Sequence, residues 1–170
     1  MHDNPAQLAE FFEYVKWADL KQLEQADSLD DDAYLKAHGF SYGNVHGLLL
    51  HMVAAHDAWL GRFRGEPPRW IARDSVMKPR ASVRTKWAQV HAEFSQYLAS
   101  LDRTALERKI SYVNTLGEAH DAPLGRLLMH VMNHSTIHRA QLNSMLKLSG
   151  ISPKPVDYTS WYFGRGPITN

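Results

Sequence analysis

A chain of 170 residues fits a single domain and can bury a core without disulfides as staples. Nineteen Lys and Arg stand against 18 Asp and Glu, so no global field draws the chain to nucleic acid or acidic lipid. Cysteine is absent, which excludes thiolate ligands, a Cys nucleophile and disulfides together, and ten histidines are the compositional signal that remains.

Four long helices are expected, in chain order. Asn4 and Pro5 form a cap and first helical position, opening a helix that runs to about Ala26, where the turn-prone acidic run Asp27 to Asp32 ends it. A second helix spans about Asn44 to Arg64 and stops at Gly65 and the Pro67-Pro68 pair. Its apolar run is broken by His46, His51, His56 and Asp57, so no membrane span is expected. A third helix covers about Ser82 to Ser100, and Asp102 caps a short helical turn after it. Residues 109–122 read as a loop or small hairpin. Pro123 opens the fourth helix, which Gly150 closes as its C′ residue. The tail cluster Trp161-Tyr162-Phe163 is too apolar to be free and is expected to pack on the bundle or on a partner chain. The N-terminus lacks the basic-then-apolar order of a secretory signal, so a cytoplasmic protein is expected.

Neutrality hides a local asymmetry. Residues 1–40 carry 3 basic and 9 acidic side chains, whereas residues 61–110 carry 11 basic and 5 acidic. Two helical regions with faces of opposite sign explain this. A nucleic-acid patch would need the cations between Arg62 and Lys86 gathered on one face, yet they straddle a Pro-containing loop.

The histidines are placed by helical angle. Around Val131, the residues Leu124, Leu127, Leu128, Leu142, Met145 and Leu146 share one face of the fourth helix. His138 lies near the middle of that face, His134 at its edge one turn away, and His130 at the boundary with solvent. On the second helix Val45, Leu48, Met52, Trp59 and Phe63 share a side. His51 projects about 100° from that stripe, among Gly47, Ala54, Ala55 and Ala58. Small residues around a histidine leave a volume that side chains do not fill. A mononuclear site of His51, His134 and His138 follows, since bundles build such sites from facing helices. Three imidazoles suit zinc, nickel, copper or iron and leave coordination positions open, as catalytic sites do. An H-x-x-x-H pair also occurs by chance, and Ser135 after His134 excludes the zincin motif, which needs Glu there.

Three segments carry a family resemblance: Tyr14-Val15-Lys16-Trp17-Ala18-Asp19, Leu50-His51-Met52-Val53-Ala54-Ala55 with Trp59, and Asn133-His134-Ser135-Thr136-Ile137-His138-Arg139-Ala140-Gln141. With Gly150, Pro153, Asp157 and Tyr158 toward the end, nearly the whole chain resembles the DinB-like (YfiT-like) family of metal-dependent enzymes. The resemblance implies an all-α, up-down-down-up four-helix bundle, a homodimer, and one divalent ion per chain, zinc or nickel, on His51, His134 and His138. It departs from the family pattern at Asp19, where Asn is frequent, at Ala140, where Gly is, and at His56, where an acid is. Asp19 reads either as a solvated helix charge or as a support for the ligands, and His130 as a boundary residue, a support or a base. Arg139 and Gln141 are expected to fix the helix against its neighbours. Trp17, Trp59 and the loop 65–80 are candidates for the pocket wall.

The family's assigned activities imply transfer of low-molecular-weight thiols to electrophiles, with hydrolysis as the other chemistry open to such a site. Its name refers to DNA-damage induction and implies a stress-response setting. A non-catalytic metal-binding protein is the alternative, and a DNA-associated role is the less favoured one.

Overall fold

The computed structural model describes residues 4–66, 80–114 and 116–164. Helix α1, Pro5–Ala26, is capped by Asn4, whose Oδ1 accepts from the Ala6 and Gln7 amides. The acidic run after it does more than end a helix. Asp30 accepts from the Ala33 amide and caps α2, Asp31–Leu35, with Asp31 and Asp32 in the first turn, where the helix dipole favours carboxylates. Helix α3, Val45–Arg64, starts at Asn44 and ends at Gly65, whose φ of 71° any residue with a side chain would adopt only under strain. The expected Pro67-Pro68 stop lies outside the described residues.

Helix α4 is Arg80–Ala99, and Asp102 caps the short α5, Arg103–Glu107. Residues 109–122 form a hairpin: β1, Lys109–Val113, pairs antiparallel with β2, Ala119–Pro123, with Lys109 opposite Pro123. Pro123 therefore ends β2, and α6 begins one residue later, Leu124–Leu148. After α6, Gly150 (φ 84°) donates to Lys147 O and Ile151 donates to Leu146 O, a Schellman closure. The tail folds back as α7, Tyr158–Gly164, burying Trp161 near Tyr14 and leaving Phe163 exposed.

Two apolar clusters fix the chain directions. One joins Leu8 and Phe12 of α1, Leu60 and Phe63 of α3, Phe94 and Leu98 of α4, and Leu124 and Leu128 of α6. The other joins Leu23 and Ala26, Val45 and Leu48, Val83 and Trp87, and Leu142 and Leu146. The starts of α1 and α6 thus meet the ends of α3 and α4, which makes the bundle up-down-down-up. Helices α1 and α3 each pack between α4 and α6, so α3 and α6 are antiparallel neighbours. Each fully buried Leu or Phe in these clusters contributes about 1.5–3 kcal/mol through area removed from water.

The faces of opposite charge do meet. Arg80 pairs with Asp31 at 2.9 Å and Arg84 with Asp27, tying the start of α4 to α2 and the end of α1. Lys86 pairs with Asp57 and Arg64 with Glu93, so four cations of the basic stretch meet carboxylates. Arg69, Arg73 and Lys78 lie outside the described residues.

Candidate metal centre

The α3–α6 interface brings the three selected histidines together. Nε2 of His51 lies 3.3 Å from Nε2 of His134 and 3.1 Å from Nε2 of His138, and the last two are 3.0 Å apart. The i, i+4 spacing on α6 supplies one edge of this triangle, and antiparallel packing against α3 supplies the third corner. A triangle of that size has its centre about 1.8 Å from each nitrogen, so a point about 2.0–2.1 Å from all three exists just off its plane. The donor set fits a divalent ion. Among the described residues no fourth His, Asp or Glu joins the group.

The rings are oriented from behind. His138 Nδ1 donates to Gln141 Oε1 at 2.7 Å, which leaves the Nε2 lone pair facing the other imidazoles. Ser41 Oγ donates to the same Gln141 oxygen at 2.8 Å. Tyr42 stacks flat on His51, with ring centroids 3.7 Å apart, and presents its ring to His138 at 5.6 Å. Burial, with the neighbouring His138 and His51 imidazoles, pushes His134 down to about 3 and keeps it neutral at physiological pH.

Ser41 and Tyr42 belong to the connection between α2 and α3, which carries no periodic pattern to announce them. Two features of that segment do mark a seated loop. Ser41 has a φ of 52°, a left-handed conformation that is uncommon without glycine and concentrates at functional sites. Gly47, one turn into α3, is required: a Cβ there would lie 2.4 Å from the Tyr42 carbonyl oxygen.

The other candidates divide. Gln141, expected only to brace the helix, instead contacts a triad histidine directly. Arg139 does brace it, and its partner corrects both readings of Asp19. That carboxylate is only 2% exposed, so it is no solvated charge, and its Oδ1 accepts from Arg139 Nη1 at 3.0 Å. Its Oδ2 faces His91 Nε2 at 3.4 Å, and no hydrogen bond or ion pair joins Asp19 to the three histidines. Burial pushes the Asp19 carboxyl up, but the facing His91 ring and the Arg139 guanidinium outweigh it and hold the group below the usual carboxylate range. His56 is buried in the same layer, with Nδ1 donating to Met52 O at 3.0 Å and Nε2 accepting from Ser135 Oγ at 3.2 Å.

His130 is exposed, its ring 6.1 Å from His134 and edge-on to Trp59 at 5.3 Å. Trp59 thus stands one residue removed from the triad. The Trp17 ring meets Tyr14, in the cluster beneath α7, and among the described residues it makes no ring contact with a triad histidine. Of the proposed wall loop, residues 67–79 lie outside the described residues.

No helix among the described residues is long and apolar enough to cross a membrane. The chain is 20% identical over 159 residues to Protein DinB of Bacillus subtilis (strain 168), covering 89% of this chain and 91% of that one. Its fold is similar to the crystal structure of a DinB-like protein from Bacillus cereus ATCC 10987, with a TM-score of 0.67 at 16% identity, over 86% of this chain and 95% of the other. The model of the DinB family matches residues 1–165, and the chain belongs to that family.

Proposed function

We propose that this protein is a divalent-metal-dependent enzyme that activates a small molecule, a thiol or water, at a site held by His51, His134 and His138. The observation that supports this is the triangle of Nε2 atoms with mutual distances of 3.0–3.3 Å and no fourth protein ligand among the described residues. A bound zinc or nickel ion supplies Lewis acidity, which favours a thiol as thiolate and lowers the pKa of water. Gln141 fixes the tautomer of His138, and Tyr42 fixes the plane of His51. His130 is open to solvent on one side, and desolvation of the remainder of its ring lowers its pKa, so it is neutral at pH 7 and stands beside His134 as a proton acceptor. Transfer of a low-molecular-weight thiol to an electrophile is the reaction we favour. The protein acts as a cytoplasmic homodimer, and exposed Phe163 and Leu148 are apolar area available to a second copy.

Elemental analysis of protein purified without an affinity tag tests the site, with about one equivalent of a divalent ion expected per chain. Disappearance of thiol in the presence of an electrophile, dependent on that ion, tests the reaction. Metal binding without turnover would identify a metal-binding stress protein instead.

A further inference from the structure

Arg62 lies eleven residues beyond His51 on α3, which places it within about 20° of the same helical face and roughly 16 Å along the axis. Between them that face carries Ala54, Ala55 and Ala58, all half-buried, so a shallow strip of small side chains runs from the triad to Arg62. Trp59 flanks the strip on α3 itself, and His130 of α6 packs edge-on against it. The Arg62 guanidinium folds back over Trp59, 4.7 Å from the ring centroid, and lies 5.8 Å from the ring of Tyr112 on β1. It therefore leans toward the triad, as helical side chains do.

Arg62 differs from the other described cations between residues 62 and 86. Arg64, Arg80, Arg84 and Lys86 each pair with a carboxylate. Among the described residues Arg62 meets two aromatic faces and no carboxylate. A partly desolvated guanidinium with only ring partners retains a fork of donors that matches a carboxylate. We propose that Arg62 binds the terminal carboxylate of a small molecule whose other end reaches the three-histidine site. A carboxylate fits better than a phosphate dianion, because one guanidinium supplies one charge. Trp59 and Tyr112 hold the fork, and the alanine strip accommodates the linking chain.

The inference rests on the metal-site reading above, and its test separates the two. Cobalt(II)-loaded protein is titrated with 6-mercaptohexanoate and with 6-mercaptohexanol, which share a thiol and a six-carbon chain and differ in the end group. The thiolate–cobalt absorption band reports binding of the sulfur. Wild type should bind the acid about tenfold or more tightly than the alcohol, as a charge-assisted contact predicts. Arg62→Gln should erase that preference while leaving the alcohol's affinity and the cobalt d–d spectrum unchanged, and Arg62→Lys should retain part of it. Equal affinities in wild type, or a preference that survives Arg62→Gln, overturn the proposal and leave the metal site standing. Absence of the thiolate band with both compounds overturns the metal-site reading and this inference together.

Discussion

Gln141 and His138 are one turn apart on α6, and the 2.7 Å bond between Gln141 Oε1 and His138 Nδ1 decides which nitrogen of the imidazole faces the other two histidines. The Ser41 hydroxyl holds the same oxygen from the loop before α3. An outer partner of this kind sets both ring orientation and basicity.

Gln141→Leu should therefore weaken metal binding by about 10–100-fold without unfolding the bundle. Ser41→Ala, which removes only the hydroxyl behind Gln141, should have the smaller effect. Competition against a chelating dye measures both, and unchanged affinity in Gln141→Leu would sink the assignment.

His138→Ala should abolish high-affinity binding and all metal-dependent turnover while helical circular dichroism stays near that of the parent. The reason is packing: Leu128, Val131, Leu142 and Met145 already close the α6 seam. The apo protein should stay folded, and metal should stabilise it by mass action, about 2.7 kcal/mol at a free concentration 100-fold above Kd. Unfolding by a chelator alone would show the ion to be structural, as in a zinc finger.

Much of this site was legible because a helix has a fixed period. The 100° projection picks out His134 and His138 on α6 and the small-residue flank around His51, with no knowledge of the loops. Ser41 and Tyr42 were illegible for the converse reason: their backbone is aperiodic, and their partners sit on helices whose periodicity does not point back to the loop, Gln141 of α6 for Ser41, 100 residues away, and His51 of α3 for Tyr42. The short α2 was hidden in an acidic run, since Asp favours turns and helix caps alike. Asp19 was misread because helical angle alone does not reveal an ion pair 120 residues apart in sequence.

That ion pair carries its own prediction. Asp19→Ala leaves the Arg139 guanidinium buried without its carboxylate and should destabilise the fold by about 3–5 kcal/mol. Metal affinity per folded molecule should change little, because neither residue hydrogen-bonds a triad histidine. Urea unfolding with chelator present, alongside metal titration below the transition, separates the two effects. A loss of affinity without a loss of stability would return Asp19 to the metal site.

His56 contributes to the pH dependence of the apo fold. Burial pushes its imidazole down to about 4, further than the raising influences of Asp19 and the Met52 carbonyl offset. The neutral ring is built into the core, with one nitrogen donating to Met52 O and the other accepting from Ser135. Between about pH 4 and 6.5 the unfolded chain binds a proton at this position that the folded chain refuses, so stability rises with pH across that window. The contribution is complete above the unfolded value and is lost as pH falls from about 6.5 toward 4, roughly 3 kcal/mol at the free-energy equivalent of one pKa unit. His134 is lowered as well and adds to the same slope. The comparison that isolates His56 is therefore wild type against His56→Gln, both with chelator, by urea unfolding from pH 7.5 to 4. The variant should be less stable at pH 7.5, having lost packing and a fitted pair of hydrogen bonds, and should show the shallower decline on acidification. Parallel curves would mean that His56 is protonated in the fold and that its bond with Ser135 is drawn the wrong way round.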